Sequence, residues 1–185
     1  MRKFFISIAI FAAAIVAIDF CFGIGMDYLN SHAKGGGVAK RNYISRKSTE
    51  EIMLFGSSRM CHHYVPQIIE DSLGMTCYNC GEDGNGIILS YGFLKMILER
   101  YTPKMIIYDF EAFDLYKDDN MKYISLLKPY CHEDGIMDII TTVSSKDKWK
   151  LKSNLYRYNS IGIRIIGSFL TRNSDANKGY IPFKI

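Results

Sequence analysis

The sequence lacks a basic tract. Its 23 Lys and Arg residues are scattered among 19 Asp and Glu, and the formal net charge is +4, so it offers no concentrated positive stripe of the kind nucleic-acid binding uses. Internal repeats are missing too, and low-complexity sequence is confined to Gly35-Gly36-Gly37. There is no disulfide framework, because five cysteines in 185 residues, one of them (Cys21) inside an apolar run, are too few and too dispersed. Nor is there the charge excess of a disordered chain: 48% of residues are hydrophobic and 23% charged, an ordinary globular balance. That length allows one folded domain and little more.

What is present begins with a long apolar run. After Arg2 and Lys3, residues Phe4 to Ile24 are interrupted only by Ser7, Asp19 and Gly23, which is close to the ~20 residues that cross a bilayer as a helix. The stretch Asp19-Phe20-Cys21-Phe22-Gly23 offers neither a small-x-small cleavage site nor a lipobox before Cys21, so an uncleaved signal-anchor is expected rather than a removed signal peptide. Arg2 and Lys3 favour a cytoplasmic N-terminus; Lys34, Lys40 and Arg41 on the far side weaken that bias. Asp19 reads as an acid tolerated near the membrane interface. The chain divides into an anchor over residues 1–25, a Gly- and Lys-rich flexible linker over 26–48, and a domain over 49–185.

Within that domain, Glu51 to Phe55 is an apolar run ending at Gly56, which predicts a buried strand. A helix is predicted over Pro66–Leu73, with Pro66 in its first turn and Gly74 after its last. Met75–Tyr78 reads as a second strand, the stripe Ile87, Tyr91, Leu94 and Leu98 as a helix ending before Pro103, and Lys104–Tyr108 as a third strand. Strand-helix-strand-helix-strand order predicts an α/β fold on a parallel sheet. Further helices are expected over Asn120–Leu127, Gly135–Val143 and, with breaks at Asn159-Ser160 and Gly162, Lys146–Leu170. No fourth core strand is evident, and three parallel strands make a narrow sheet with open edges. This predicts that part of the fold lies outside these residues.

Cys61-His62-His63 with Cys77-x-x-Cys80 has the residue types of a zinc site. Residues three apart on a strand face opposite sides, so Cys77 and Cys80 are expected to be separate buried thiols, and no metal or other cofactor is expected. Three other segments follow the three strands, where open parallel sheets bind ligands: Gly56-Ser57-Ser58-Arg59, Gly81-Glu82-Asp83-Gly84-Asn85-Gly86, and Asp109 to Asp114. A Ser at such a turn can present its hydroxyl beside backbone N–H groups, and a Gly-rich loop can bring another N–H to a developing oxyanion. Ser58 and Gly84 are the candidate pair, with Arg59 and Asn85 beside them for substrate binding. The bland alternatives are helix capping by Ser57 or Ser58 and a tight loop that binds nothing.

Ile52-Met-Leu-Phe-Gly-Ser-Ser-Arg-Met60 resembles the first conserved block of SGNH (GDSL-like) hydrolases, above all their membrane-anchored bacterial envelope branch, and Tyr78-Asn-Cys-Gly-Glu-Asp-Gly84 resembles the second. The resemblance covers about residues 50–114. It implies a three-layer flavodoxin-like (SGNH-type) sheet, Ser58 as nucleophile and Gly84 in the oxyanion hole. It further implies hydrolysis or transfer of ester-linked acyl groups on envelope glycans or lipids, by a single-pass protein of the bacterial inner membrane with its domain on the extracytoplasmic side. Two departures accompany it: Phe113 stands where the family has an oxyanion-hole Asn, and the family's Asp-x-x-His does not occur. His62, His63 and His132 are the histidines near these loops, and none has a carboxylate identifiable from sequence as its orienting partner. A non-catalytic membrane-anchored binding or assembly protein and a metal-binding protein are the competing expectations.

Overall fold

The computed structural model describes residues 1–115, 123–171 and 177–183. Helix α1 (Arg2–Ser31) is one unbroken helix, long and apolar enough to cross a membrane, and no residue from Met1 to Ile18 is buried. From Asp19 onward the helix docks on the folded domain. The Asp19 carboxylate accepts hydrogen bonds from Ser153 Oγ (2.8 Å) and the backbone N–H groups of Asn154 (2.9 Å) and Leu155 (2.8 Å). Two turns further on, the Asp27 carboxylate accepts from the Arg157 guanidinium at 2.5 Å and from the Tyr158 hydroxyl. An acid read from sequence as merely tolerated therefore has a full set of donors, which offsets the cost of drawing it away from water.

The segment read as a flexible linker is ordered instead. α1 continues to Ser31, and α2 (Gly36–Arg46) buries Val38 and Ile44 in the core. Two of its charged residues, Lys40 and Arg41, are inside as well. Lys40 Nζ donates to Gly81 O at 2.5 Å and to Gly179 O at 2.7 Å, Arg41 pairs with Glu82 at 2.8 Å, and Arg100 donates to the carbonyls of Ile44, Ser45 and Ser48 at the end of the helix. Composition suggests a solvated tether because the partners that make these charges tolerable lie 41 and 139 residues away from Lys40.

Three strands, β1 (Ile52–Gly56), β2 (Cys77–Asn79) and β3 (Met105–Asp109), form a parallel sheet in the order β2-β1-β3. β1 is buried throughout, as its unbroken apolar sequence requires of a central strand covered on both faces. Alternate residues serve the two sides. Met53 and Phe55 join the larger cluster with Val38, Ile44, Phe93 and Ile97, whereas Ile52 and Leu54 pack with Met60, Cys77 and Ile69. Truncating such a side chain to Ala costs about 2–5 kcal/mol. Cys77 and Cys80 fall into different clusters, as expected for residues three apart. β3 is the exposed member, with Met105 41% and Ile106 42% accessible.

The connecting helices are α3 (Ser58–His63), α4 (Pro66–Leu73) and α5 (Ile87–Leu98), with Pro66 in the first turn of α4 and Gly74 closing it in the left-handed conformation at φ 65. After β3 come 3₁₀ turns at Ala112–Leu115, Ile124–Leu126 and Lys128–Tyr130, then α6 (Ile136–Val143), α7 (Asp147–Lys150), α8 (Asn154–Tyr158) and α9 (Gly162–Leu170). The helix expected over Asn120–Leu127 lies partly outside the described residues; from Ile124 it is a 3₁₀ turn. The expected run from Lys146 is three short helices, two of which (α8 and α9) lie along α1.

Lys40 is the residue whose loss this architecture should feel most at least change of volume. Lys40→Met is expected to destabilise the domain by about 2–4 kcal/mol, because it strands two buried carbonyls. Denaturant titration of the detergent-solubilised chain checks the magnitude, and faster amide exchange in residues 80–83 checks the cause. An unchanged midpoint would show that the ammonium adds nothing.

Candidate active site

Chain direction brings the three loops to one edge. β1 ends at Gly56, whose φ of 153 is open to glycine alone, and a Cβ there would meet Met60 Cβ at 2.9 Å and Asp109 O at 3.0 Å. The chain then turns directly into α3, so Ser58 is the first helical residue, two positions beyond the central strand, and it is exposed. The second loop crosses the same edge: Glu82 N–H donates to Gly56 O at 3.2 Å, and Gly81 approaches the Cys61 backbone so closely that a Cβ would lie 2.6 Å from its nitrogen. The third loop reaches back through Glu111, which accepts from Ser57 Oγ at 3.0 Å and pairs with Arg59 at 2.9 Å.

The two serines are thereby distinguished. Ser57 is buried and committed to Glu111, and its side chain does not cap α3. Ser58 has neither its hydroxyl nor its backbone N–H engaged by any partner among the described residues. Arg59 is half exposed, but its fork is taken up by Asp109 (2.6 Å) and Glu111, an arrangement that raises its already high pKa, chiefly through the hydrogen bond to Asp109. Asn85, expected to contact substrate, is buried: Nδ2 donates to Ser90 Oγ at 2.7 Å and Oδ1 has no donor among the described residues. It supports the loop from beneath instead of facing solvent. Gly84 sits in a left-handed turn at φ 64, and Tyr123 fills the space a Cβ would need. A packing requirement therefore accounts for that glycine without any oxyanion.

Sequence reasoning missed the surroundings of His62. It lies one helical turn after Ser58 on α3, with Nε2 2.7 Å from Asp83 Oδ1, Nδ1 2.6 Å from Ile181 O, and its ring stacked on Phe183 at 4.3 Å. Both neighbours accept hydrogen bonds, so satisfying both requires the ring to donate from both nitrogens, which leaves no lone pair for a serine proton. His63 and His132 are exposed, with His63 near Phe183. A cleft of about 690 Å³ lies elsewhere, between α2 and residues 178–181.

Cys61, His62 and Asp83 bring three ligand-type atoms together. The remaining sequence candidates do not join them: Cys77 packs under β1, and Cys80 faces the other cluster. Metal binding needs a thiolate and an imidazole lone pair. Here burial raises the Cys61 thiol pKa, Lys40 Nζ stands 3.9 Å from its sulfur, and the imidazole faces acceptors on both sides. Burial likewise pushes Cys77 up to about 12. After equilibration with Zn²⁺ and desalting, the chain is expected to retain well below one zinc per molecule, with no difference in Cys61→Ser. Stoichiometric, Cys61-dependent zinc by elemental analysis would revive the metal reading.

The site has to be interpreted on its own geometry, because comparisons with protein-family models, with curated proteins and with solved structures find no match to this chain.

Proposed function

We propose that this chain carries the nucleophile region of an SGNH-like serine acyl hydrolase or acyltransferase, tethered by α1 to the bacterial inner membrane with its domain on the extracytoplasmic side. One observation carries the reading: an exposed, uncommitted Ser58 at the carboxyl end of the central strand, with a Gly-rich loop folded over the same edge. The order β2-β1-β3 agrees with the start of the 2-1-3-4-5 order of flavodoxin-like sheets, and the proposed fold extends it to a three-layer domain of that type.

In the proposed reaction Ser58 Oγ attacks the carbonyl of an ester on an envelope glycan or lipid, and the alcohol leaves with the serine proton. Water or an acceptor hydroxyl then takes the acyl group from Ser58. The Ser58 N–H, with the Gly84 loop, would face the oxyanion. The base would come from outside the described residues, since both His62 nitrogens already face acceptors, Asp83 Oδ1 and Ile181 O. The second reading, a non-catalytic binding or assembly domain, draws on the same His62 arrangement and on the closed Arg59–Asp109–Glu111 network.

Without a positioned base the hydroxyl stays protonated, so the chain alone is expected to turn over p-nitrophenyl acetate far more slowly than the enzyme median of about 10 s⁻¹. Single acylation is the more telling readout. At mildly alkaline pH, mass spectrometry should find acetyl on the peptide containing Ser57 and Ser58, lost in Ser58→Ala and kept in Ser57→Ala. Absence of acetylation, or its persistence in Ser58→Ala, would remove Ser58 as nucleophile. Turnover near the median, abolished by Ser58→Ala, would mean that a base already exists here, and His62 would be the first substitution to make.

A further inference from the structure

We propose a second membrane contact beside α1: the segment from Lys146 to Leu155 lies on the bilayer surface, with Trp149 in the interface and its lysines against anionic phospholipid headgroups. The proposal rests on α1 being a membrane span, and it is independent of what Ser58 does.

Helix length sets where the bilayer must end. The unburied part of α1, Arg2 to Ile18, is about 25 Å long at ~1.5 Å per residue, whereas a bilayer's hydrocarbon core is about 30 Å thick. The bilayer therefore has to extend up to the first point where the domain grips the helix. That point is Asp19, and what it grips is Ser153, Asn154 and Leu155. Lys152 adjoins this contact, with its Nζ 4.1 Å from the centre of the Trp149 ring. Residues 149–155 are thus held where α1 leaves the membrane.

Their chemistry suits that place. The chain's single tryptophan is 70% exposed and Leu155 47%, a poor arrangement in water for an indole but a usual one at a membrane interface. Lys146, Lys148, Lys150 and Lys152 are all exposed. The one acid among them, Asp147, is buried and neutralised by Lys128 at 3.3 Å, with a hydrogen bond from the Tyr156 hydroxyl at 2.8 Å. What faces outward is four positive charges and an indole with no compensating carboxylate from the same segment. Lysine stems lie along apolar surface while their ammonium groups reach phosphate, and anionic leaflets attract such clusters within a Debye length.

Trp149, being unique, reports on itself. The full chain is reconstituted in vesicles of phosphatidylcholine, alone or mixed with phosphatidylglycerol, and flotation after a high-salt wash checks insertion. Trp149 emission is expected to shift to the blue in the mixed vesicles and to be quenched by lipids brominated near the headgroup. In the triple variant Lys148→Gln, Lys150→Gln, Lys152→Gln the dependence on phosphatidylglycerol is expected to disappear while flotation persists. A chain that floats but keeps an aqueous, acrylamide-quenched Trp149 in both vesicle types would overturn the proposal and leave the α1 span intact. An equal blue shift in both, unaffected by the lysine variant, would overturn the headgroup contact. A chain that fails to float would remove the span itself, and this proposal with it.

Discussion

A buried ammonium needs oxygen atoms around it, and the oxygens around Lys40 come from two widely separated parts of the chain. Two of its donors meet Gly81 O and Gly179 O, and the third side looks toward Cys61 Sγ. Desolvating that charge without partners would cost several kcal/mol, so α2, the loop after β2 and residues 177–181 have to be in place together. The consequence reaches the sheet edge. Once Lys40 and Arg41 pin Gly81 and Glu82, the Glu82 N–H is delivered to Gly56 O, and the Gly-rich loop comes to lie over the end of β1 beside Ser58.

The sheet was legible because its signals are local. An apolar run ending in Gly, a Pro opening a helix and a Gly closing it are decided by backbone sterics within a few residues, and β1, α4, α5 and β3 appear where those signals put them, to within a residue or two. α2 was illegible for the opposite reason. Three glycines and a set of charges read as solvated chain unless Gly81, Gly179, Glu82 and Arg100 are known to meet them, and no periodicity announces contacts at that separation. Asp19 and Asp27 belong to the same class, since their donors sit more than a hundred residues away on α8.

At the candidate site the division is similar. Convergence of the three loops follows from parallel strands alone and needs no knowledge of side chains. The choice between Ser57 and Ser58 does need it: Glu111 takes Ser57, leaving Ser58 exposed. Arg59 and Asn85 adjoin the candidate pair in sequence, and both are occupied, one by two carboxylates and the other by Ser90 and the core. The Asp83 contact to His62 lies 21 residues along the chain. The Ile181 contact, which turns that pair from a possible acid–base couple into a closed one, lies 119 residues along.

Replacing a tether by a docked helix changes what a membrane span at α1 could do for the domain. A flexible linker over residues 26–48 would allow an end-to-end excursion of roughly 25 Å, at ~5–6 Å times the square root of its length, and the domain would sample many heights and orientations. The Asp19 and Asp27 contacts, with α2 packed into the core, remove that freedom and would hold the sheet edge at one height above a bilayer that α1 spanned. Effective concentration would then become a matter of fit: a group presented at that height would meet Ser58 at high local concentration, and one presented elsewhere would not meet it at all. In the acyl-transfer reading, substrate choice is therefore set partly by depth, through the same hydrogen bonds that satisfy two acids of α1, before any pocket chemistry enters.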